Sequence, residues 1–321
     1  MRGKICGTGS YVPENFYDNN DIAKMVETSD EWIRERTGVI RRHIATEETT
    51  VSMAAEAGRR ALKDAGMDAK EVEMILVSTI SSNVILPCAA CEVQKILGAD
   101  HAVCFDLNAA CSGFLFAYQT AQAYIAAGIY RKILVIGSES LSDITNWKDR
   151  STCILFGDGA GAAVLKAAEG RTFLSIAHSD GNSAEALTCS SRHRKDWKDI
   201  PEEETYMQMD GRRVFQFAVK KVPEVITEIL DANQVNAEEI DYFLLHQANR
   251  RIVESAAKRM GLGIEKFPMN LQEYGNTSSA SIPILLDELR RNGTLKKGQK
   301  LVLAGFGAGL SWGASLLEWQ L

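Results

Sequence analysis

The stretch Ala69-Lys-Glu-Val-Glu-Met-Ile-Leu-Val-Ser78 returns in pattern as Ala237-Glu-Glu-Ile-Asp-Tyr-Phe-Leu-Leu-His246, an offset of 168 residues (69 to 237). In both copies an acidic turn runs into an unbroken apolar segment, the mark of a strand buried on both faces. A second pair keeps that offset: Arg131-Lys-Ile-Leu-Val-Ile-Gly137 and Gln299-Lys-Leu-Val-Leu-Ala-Gly305. Between the pairs, a helix ending at Gly128 matches one ending at Gly293, now 165 apart, and at that offset Cys111 falls on Asn276. Two copies of one α/β unit, facing each other across a pseudo-twofold, would bring equivalent strand ends together. The expected division is 1–170 and 171–321.

Outward from these segments, strands are expected near 3–9, 73–79, 102–107, 132–137, 154–165, 172–177, 241–246, 300–305 and 311–319. Helices are expected near 20–25, 30–36, 50–65, 88–97, 112–127, 212–232, 249–260 and 279–292. Such alternation argues for stacked α/β layers. The helix from Ser112 to Ala127 is apolar almost all round, through Phe114, Leu115, Phe116, Tyr118 and Ile125, so it belongs at the centre. Ser190 to Glu204 is rich in charge and reads as a solvated loop.

The chain has 321 residues, 45% of them hydrophobic, and a net charge of −6, enough to bury a single shared core. It has no run of eighteen apolar residues and no basic-then-apolar start, so neither a membrane span nor a signal peptide is expected, and the expected location is the cytoplasm. Neither nucleic acid nor membrane is an expected partner. Seven cysteines, an odd number scattered through apolar contexts, suit reduced thiols. Cys88-Ala-Ala-Cys91 has redox spacing but reads as helix packing, and no second cysteine pair completes a metal site. Gly157-Asp-Gly-Ala-Gly161 and Gly305-Phe-Gly-Ala-Gly309 run into strand-like sequence, where a dinucleotide fingerprint needs a helix.

The chemistry is carried by Cys111 in Asp106-Leu-Asn-Ala-Ala-Cys-Ser-Gly-Phe114, where a strand meets the central helix. A thiol at a helix N-terminus is expected to have a lowered pKa and to favour the nucleophilic thiolate. The second half supplies His246 in Leu244-Leu-His-Gln-Ala-Asn249 and Asn276 in Tyr274-Gly-Asn-Thr-Ser-Ser279, side chains that can donate to a developing oxyanion. Cys111, His246 and Asn276 thus form a candidate acyl-transfer site.

With these motifs the chain resembles β-ketoacyl-acyl carrier protein synthase III, the fatty-acid initiation enzyme of the thiolase-like superfamily. The resemblance also rests on Gly7-Thr-Gly-Ser-Tyr-Val-Pro13, Thr28-Ser-Asp-Glu-Trp-Ile-Arg-Glu-Arg-Thr-Gly38 and Phe156-Gly-Asp-Gly-Ala-Gly161. It implies an α/β, thiolase-like layered α-β-α-β-α fold built from two duplicated halves, acting as a homodimer without cofactor or metal. It further implies acyl transfer from acyl-CoA to Cys111, then condensation with malonyl on an acyl carrier protein. The oxyanion hole would use backbone N–H groups of Cys111 and Ala308. Trp32, Arg36 and Arg150 would hold CoA; Thr28 and Glu31 have the pattern of a capping box that starts a short helix bearing Trp32 and Arg36. Gln247, Arg250 and Arg251 would meet the acidic carrier, and Leu86 would shape the primer pocket across the dimer.

Two other classes compete. A papain-like protease also uses Cys, His and Asn in this order, but its local signature around the cysteine is missing here. A degenerate, non-catalytic relative would have lost one of the three residues, and all three are present. A starter-unit enzyme for polyketides is the nearest rival.

Overall fold

The computed structural model describes residues 1–190 and 205–321; most of the charged stretch expected as a solvated loop therefore lies outside the described residues. The first half opens with β1 (Arg2–Tyr11), then β2 (Phe16–Asp18), α1 (Asn19–Ala23), α2 (Asp30–Thr37), β3 (Arg41–His43) and α3 (Thr50–Ala65). It continues through β4 (Met74–Ser78), α4 (Ala89–Leu97), β5 (Val103–Leu107), α5 (Gly113–Ala126), β6 (Lys132–Glu139), α6 (Arg150–Cys153) and β7 (Gly159–Ala168). The second half runs β8 (Ser175–Ser179), β9 (Leu187–Cys189), β10 (Met207–Met209), α7 (Gly211–Asn233), β11 (Tyr242–Leu245) and α8 (Arg250–Met260). It closes with α9 (Leu271–Tyr274), α10 (Ser281–Arg291), β12 (Lys300–Gly307) and β13 (Ser311–Glu318).

Two sheets carry the body, ordered β1-β7-β6-β4-β5 and β8-β13-β12-β11. Each has a parallel pair (β4 with β6, β11 with β12) followed on one side by two antiparallel strands, and the first sheet adds β5, parallel to β4, which has no counterpart in the second. Along β4 the apolar side chains alternate between layers: Met74 and Leu76 pack with α5 and α10, while Ile75 and Val77 pack with α3 and α4. Leu301 and Leu303 of β12 join the same central helices, and Val302 and Ala304 face α7 and α8. A period-2 strand buried on both faces thereby generates five layers, helix, sheet, helix, sheet, helix. Gly7 and Gly9 let α3 lie directly on β1, since a β-carbon at either would come within 2.4 Å of an α3 carbonyl.

The duplication is more regular than its sequence suggests. Short 3₁₀ turns at Ala110–Ser112 and Ser278–Ala280 precede α5 and α10, and both begin on a left-handed non-glycine residue, Ala110 at φ 46° and Ser278 at φ 47°. Turns and helix starts are all 168 residues apart, so the counterpart of Cys111 is Ser279, not Asn276. The 165-residue offset at the helix ends arises because α10 has 11 residues and α5 has 14.

The strand expected over 154–165 begins only at Gly159. Residues 156–158 are held off the sheet: Gly157 N–H donates to Asn276 O and Asp158 N–H to His43 O. The two-stranded pairs β2/β3 and β9/β10, with three residues in each strand, gave no period long enough to read.

Candidate active site

Cys111, His246 and Asn276 line one cleft of about 560 Å³, together with Phe306 and Gly307. They arrive there because the two halves present equivalent strand and helix ends to each other. Cys111 lies in the turn before α5, His246 one residue beyond β11, and Asn276 pairs with Phe156 in a single parallel bridge. Gly307 at the end of β12 packs on the nucleophile's own backbone. A β-carbon there would sit 2.8 Å from Cys111 N and 3.1 Å from Ser112 N. The Gly305-Phe-Gly-Ala-Gly309 motif is thus a contact surface for Cys111, and it brings Ala308 alongside.

The two polar side chains are oriented by their outer edges. Asn276 Oδ1 accepts from Ser278 N–H at 2.9 Å, so its amide nitrogen is the end left for the cleft. His246 is buried, its Nδ1 2.7 Å from Ser281 Oγ and its ring edge-on to Phe306 at 5.2 Å. Burial pushes the imidazole down to about 3, so the ring is neutral at working pH.

Cys111 departs from the sequence expectation. The residue is only 9% exposed, and burial pushes its thiol up to about 12. The Ser278 hydroxyl and its own N–H oppose this, while the buried Glu139 carboxylate adds to it. Desolvation outweighs the helix start, so the resting group is the thiol. Glu139 itself accepts from Thr79, Ser81 and Ser279 hydroxyls and from Ile80 N–H, and burial raises its pKa.

Trp32, Arg36, Arg212 and Arg251 line the outer cleft, and the three arginines are exposed. Arg36 and Arg150 both lie over the Trp32 ring, at 6.0 and 5.1 Å from its centroid. The cap that starts α2 is Ser29, whose hydroxyl accepts from Trp32 N–H; Thr28 plays no part in it. The cap expected at Thr28 falls one residue later: Ser29 has the extended backbone of a cap and its side chain takes the bond.

The stretch His246 to Asn249 divides its labour. Gln247 is 1% exposed and spends its amide on Leu245 O and Asn270 N–H, so it offers nothing to a partner protein, against expectation. Asn249 caps α8 and donates to Arg36 O, tying the arginine-bearing helix α8 to α2. Arg251 stays at the cleft over Phe215, at 5.1 Å. Arg250 instead faces a separate surface pocket with Arg34 and Gln272, paired to Glu254. Arg212 escaped the sequence reading because only the packing of α7 brings it to this rim.

A second cavity of about 650 Å³ reaches Cys111 from the other side, its apolar wall formed by Leu141, Ile144, Phe156, Leu187 and Met207. Ile85 lines it, whereas Leu86 is 86% exposed and lines neither cavity. Among the described residues no cluster of three or more His, Cys, Asp or Glu could hold a metal, and no helix is long and apolar enough to cross a membrane. Cys88 and Cys91 are free thiols 3.4 Å apart.

Comparison with known proteins agrees with this geometry. Family models for 3-oxoacyl-[acyl-carrier-protein (ACP)] synthase III match residues 105–181, and its C-terminal part matches residues 230–319. A β-ketoacyl-[acyl-carrier-protein] synthase III of Clostridium acetobutylicum is 45% identical, covering 98% of each chain. The crystal structure of a 3-oxoacyl-[acyl-carrier-protein] synthase III from Aquifex aeolicus is 40% identical, with a TM-score of 0.93 over 99% of this chain and 100% of that one. The priming β-ketosynthase of the R1128 polyketide biosynthetic pathway is 35% identical, with a TM-score of 0.95 over 100% of this chain and 97% of that one. Its neighbours share the thiolase-like layering described above, and the chain belongs to the 3-oxoacyl-[acyl-carrier-protein] synthase III family.

Proposed function

We propose that this protein is the acyltransferase that starts fatty-acid synthesis by joining an acyl group from acyl-CoA to malonyl-acyl carrier protein. The observation that carries the reading is the convergence of Cys111, His246 and Asn276 on one cleft. In the first half-reaction the Cys111 sulfur, on losing its proton, attacks the thioester carbonyl. The tetrahedral oxyanion is held by the backbone N–H groups of Cys111 and Ala308, and the C–S bond to CoA breaks as the proton given up by Cys111 passes to the leaving sulfur, leaving an acyl-enzyme and CoA thiol. In the second, the malonyl carbon–carboxylate bond breaks and carbon dioxide leaves. Its electron pair forms a thioester enolate, whose oxygen takes hydrogen bonds from His246 and Asn276. The enolate carbon attacks the acyl carbonyl and expels the Cys111 thiolate, giving 3-oxoacyl-carrier.

The outer cleft supports the substrate assignments. Trp32 offers a face for the adenine of CoA, with Arg36 and Arg150 for its phosphates. Arg251, joined by Arg212, presents positive charge to an acidic carrier in a chain whose net charge is −6. The cavity beyond Cys111 offers an acyl chain one apolar wall, Leu141, Ile144, Phe156, Leu187 and Met207, beside polar residues such as Asn108, Asp143 and Thr188. Leu86 would contribute to that pocket only from a second copy, so the reading includes a homodimer. It places the enzyme in the cytoplasm, needs no metal or cofactor, and treats residues 1–170 and 171–321 as the two halves that meet at the cleft.

A second reading, a starter-unit enzyme for polyketide synthesis, is favoured by the TM-score of 0.95 to the R1128 priming synthase. One incubation separates the two: the protein with acyl-CoA and malonyl-carrier proteins of the fatty-acid and polyketide types. Formation of 3-oxoacyl product on the fatty-acid carrier supports the proposal. Product only on the polyketide carrier supports the rival, and product on neither overturns both.

A further inference from the structure

We propose that Ser281 is a positioning residue that fixes the neutral His246 ring with its proton on Nε2, so that the ring meets the malonyl-derived oxygen as a donor and takes no proton from Cys111. This rests on the reading of the site given above.

Ser281 is the first residue of α10 and is buried, with Oγ 2.7 Å from His246 Nδ1 and 3.3 Å from Gln247 N. The Gln247 N–H can only donate, so it occupies one lone pair of the hydroxyl. The hydroxyl proton then has a single acceptor among its partners, the Nδ1 of His246. If Nδ1 carried the ring proton, Oγ would face two donors and its own proton would be buried without an acceptor. Leaving a buried donor unpaired biases the tautomers by roughly tenfold or more. Phe306 packs edge-on against the ring at 5.2 Å and holds it against turning. Nε2 is therefore the ring nitrogen left for the cleft with Cys111 and Asn276. Because the ring stays neutral, it has one N–H, and the position of that proton decides its chemistry.

The duplication shows that the contact is particular to one half. Ser78 ends β4 as His246 follows β11, and Gly113 begins α5 as Ser281 begins α10, each pair 168 residues apart. In the first half this crossing admits no side chain on the helix, since a β-carbon at Gly113 would lie 1.8 Å from Ser78 Oγ. In the second half the same crossing holds an imidazole and a hydroxyl in contact.

The test is nitrogen NMR of the protein labelled at its five histidines, with the His246 signal assigned from His246→Gln. The parent is expected to show an Nε2-protonated ring, Ser281→Ala a mixture of tautomers, and Ser281→Thr a return toward the parent. Condensation by Ser281→Ala should fall roughly tenfold more than acylation of Cys111, since one oxyanion donor is compromised. An Nδ1-protonated parent ring overturns the proposal, as does an unchanged tautomer in Ser281→Ala, and the parent spectrum decides even if the variant fails to fold. Should His246→Ala decarboxylate malonyl-carrier at the parental rate, the site reading fails, while the spectrum still judges the Ser281 bond by itself.

Discussion

Replacing Gly307 by alanine should disable the nucleophile without touching it. The added β-carbon would lie 2.8 Å from Cys111 N, 3.1 Å from Ser112 N and 3.2 Å from Cys111 Cα. All three are backbone atoms, so no rotamer change relieves the contact. Restoring an ordinary separation of about 3.5 Å at the closest contact requires a shift of about 0.7 Å between β12 and the turn bearing Cys111. Overpacking of this kind costs about 1–3 kcal/mol of stability. The larger effect falls on the reaction: the displaced Cys111 amide no longer points where the oxyanion forms, and losing one such donor slows turnover about 10²–10³-fold. Single-turnover acylation by acyl-CoA, followed by intact mass, reads this directly, and a parallel thermal melt separates it from unfolding. Acylation of Gly307→Ala within threefold of the parent would refute the argument that this glycine seats the nucleophile.

Three further outcomes follow from the same geometry. His246→Ala and Asn276→Ala should still acquire an acyl group, yet lose condensation by on the order of a hundredfold or more; parental decarboxylation of malonyl-carrier by either would remove it from the enolate site. Arg251→Glu should raise KM for malonyl-carrier well above any effect on acyl-CoA, with the parental carrier reaction weakening as salt is added; equal effects on both substrates would place Arg251 elsewhere. His246 bears on stability as well: its folded pKa of about 3 lies below the ordinary value of 6.5, so the unfolded chain binds the extra proton between those limits. Stability from this group is complete above about 6.5 and is lost as pH falls toward 3, by up to about 1.4 kcal/mol per unit. Denaturant titrations of the parent should show a steeper acid loss than those of His246→Gln, and parallel curves would contradict the assignment.

The layered duplication was legible because its strands are buried on both faces and so leave unbroken apolar runs, as in Met74–Val77 and Leu301–Ala304. That symmetry brings the strand and helix ends bearing Cys111, His246 and Asn276 to one cleft, although Asn276 stands three residues before the true counterpart of Cys111, Ser279. What escaped depends on tertiary surroundings. The helix start at Gly113 is visible in sequence, but the burial that raises the Cys111 thiol comes from Gly307 and from the opposite half. Gln247 sits in a motif with His246 and looks equally available, yet its amide is consumed by Leu245 and Asn270. Ser281 and Glu139 carry no local signature. Each matters through contacts far along the chain, Ser281 with His246 across 35 positions and Glu139 with Ser279 across 140. The equivalence of Cys111 with Ser279 was hidden by three residues missing from the end of α10, a difference that backbone dihedrals reveal and periodicity cannot.

The central claim is that Cys111 carries the acyl group between two thioesters, and a pulse and chase of the intact protein tests it most directly. After a pulse with acyl-CoA, the account predicts a mass gain of one acyl group, located at Cys111 by peptide mapping and missing in Cys111→Ala. A chase with malonyl-carrier should discharge that mass in step with the appearance of 3-oxoacyl-carrier. An adduct on another residue, or product formed by Cys111→Ala, would contradict it.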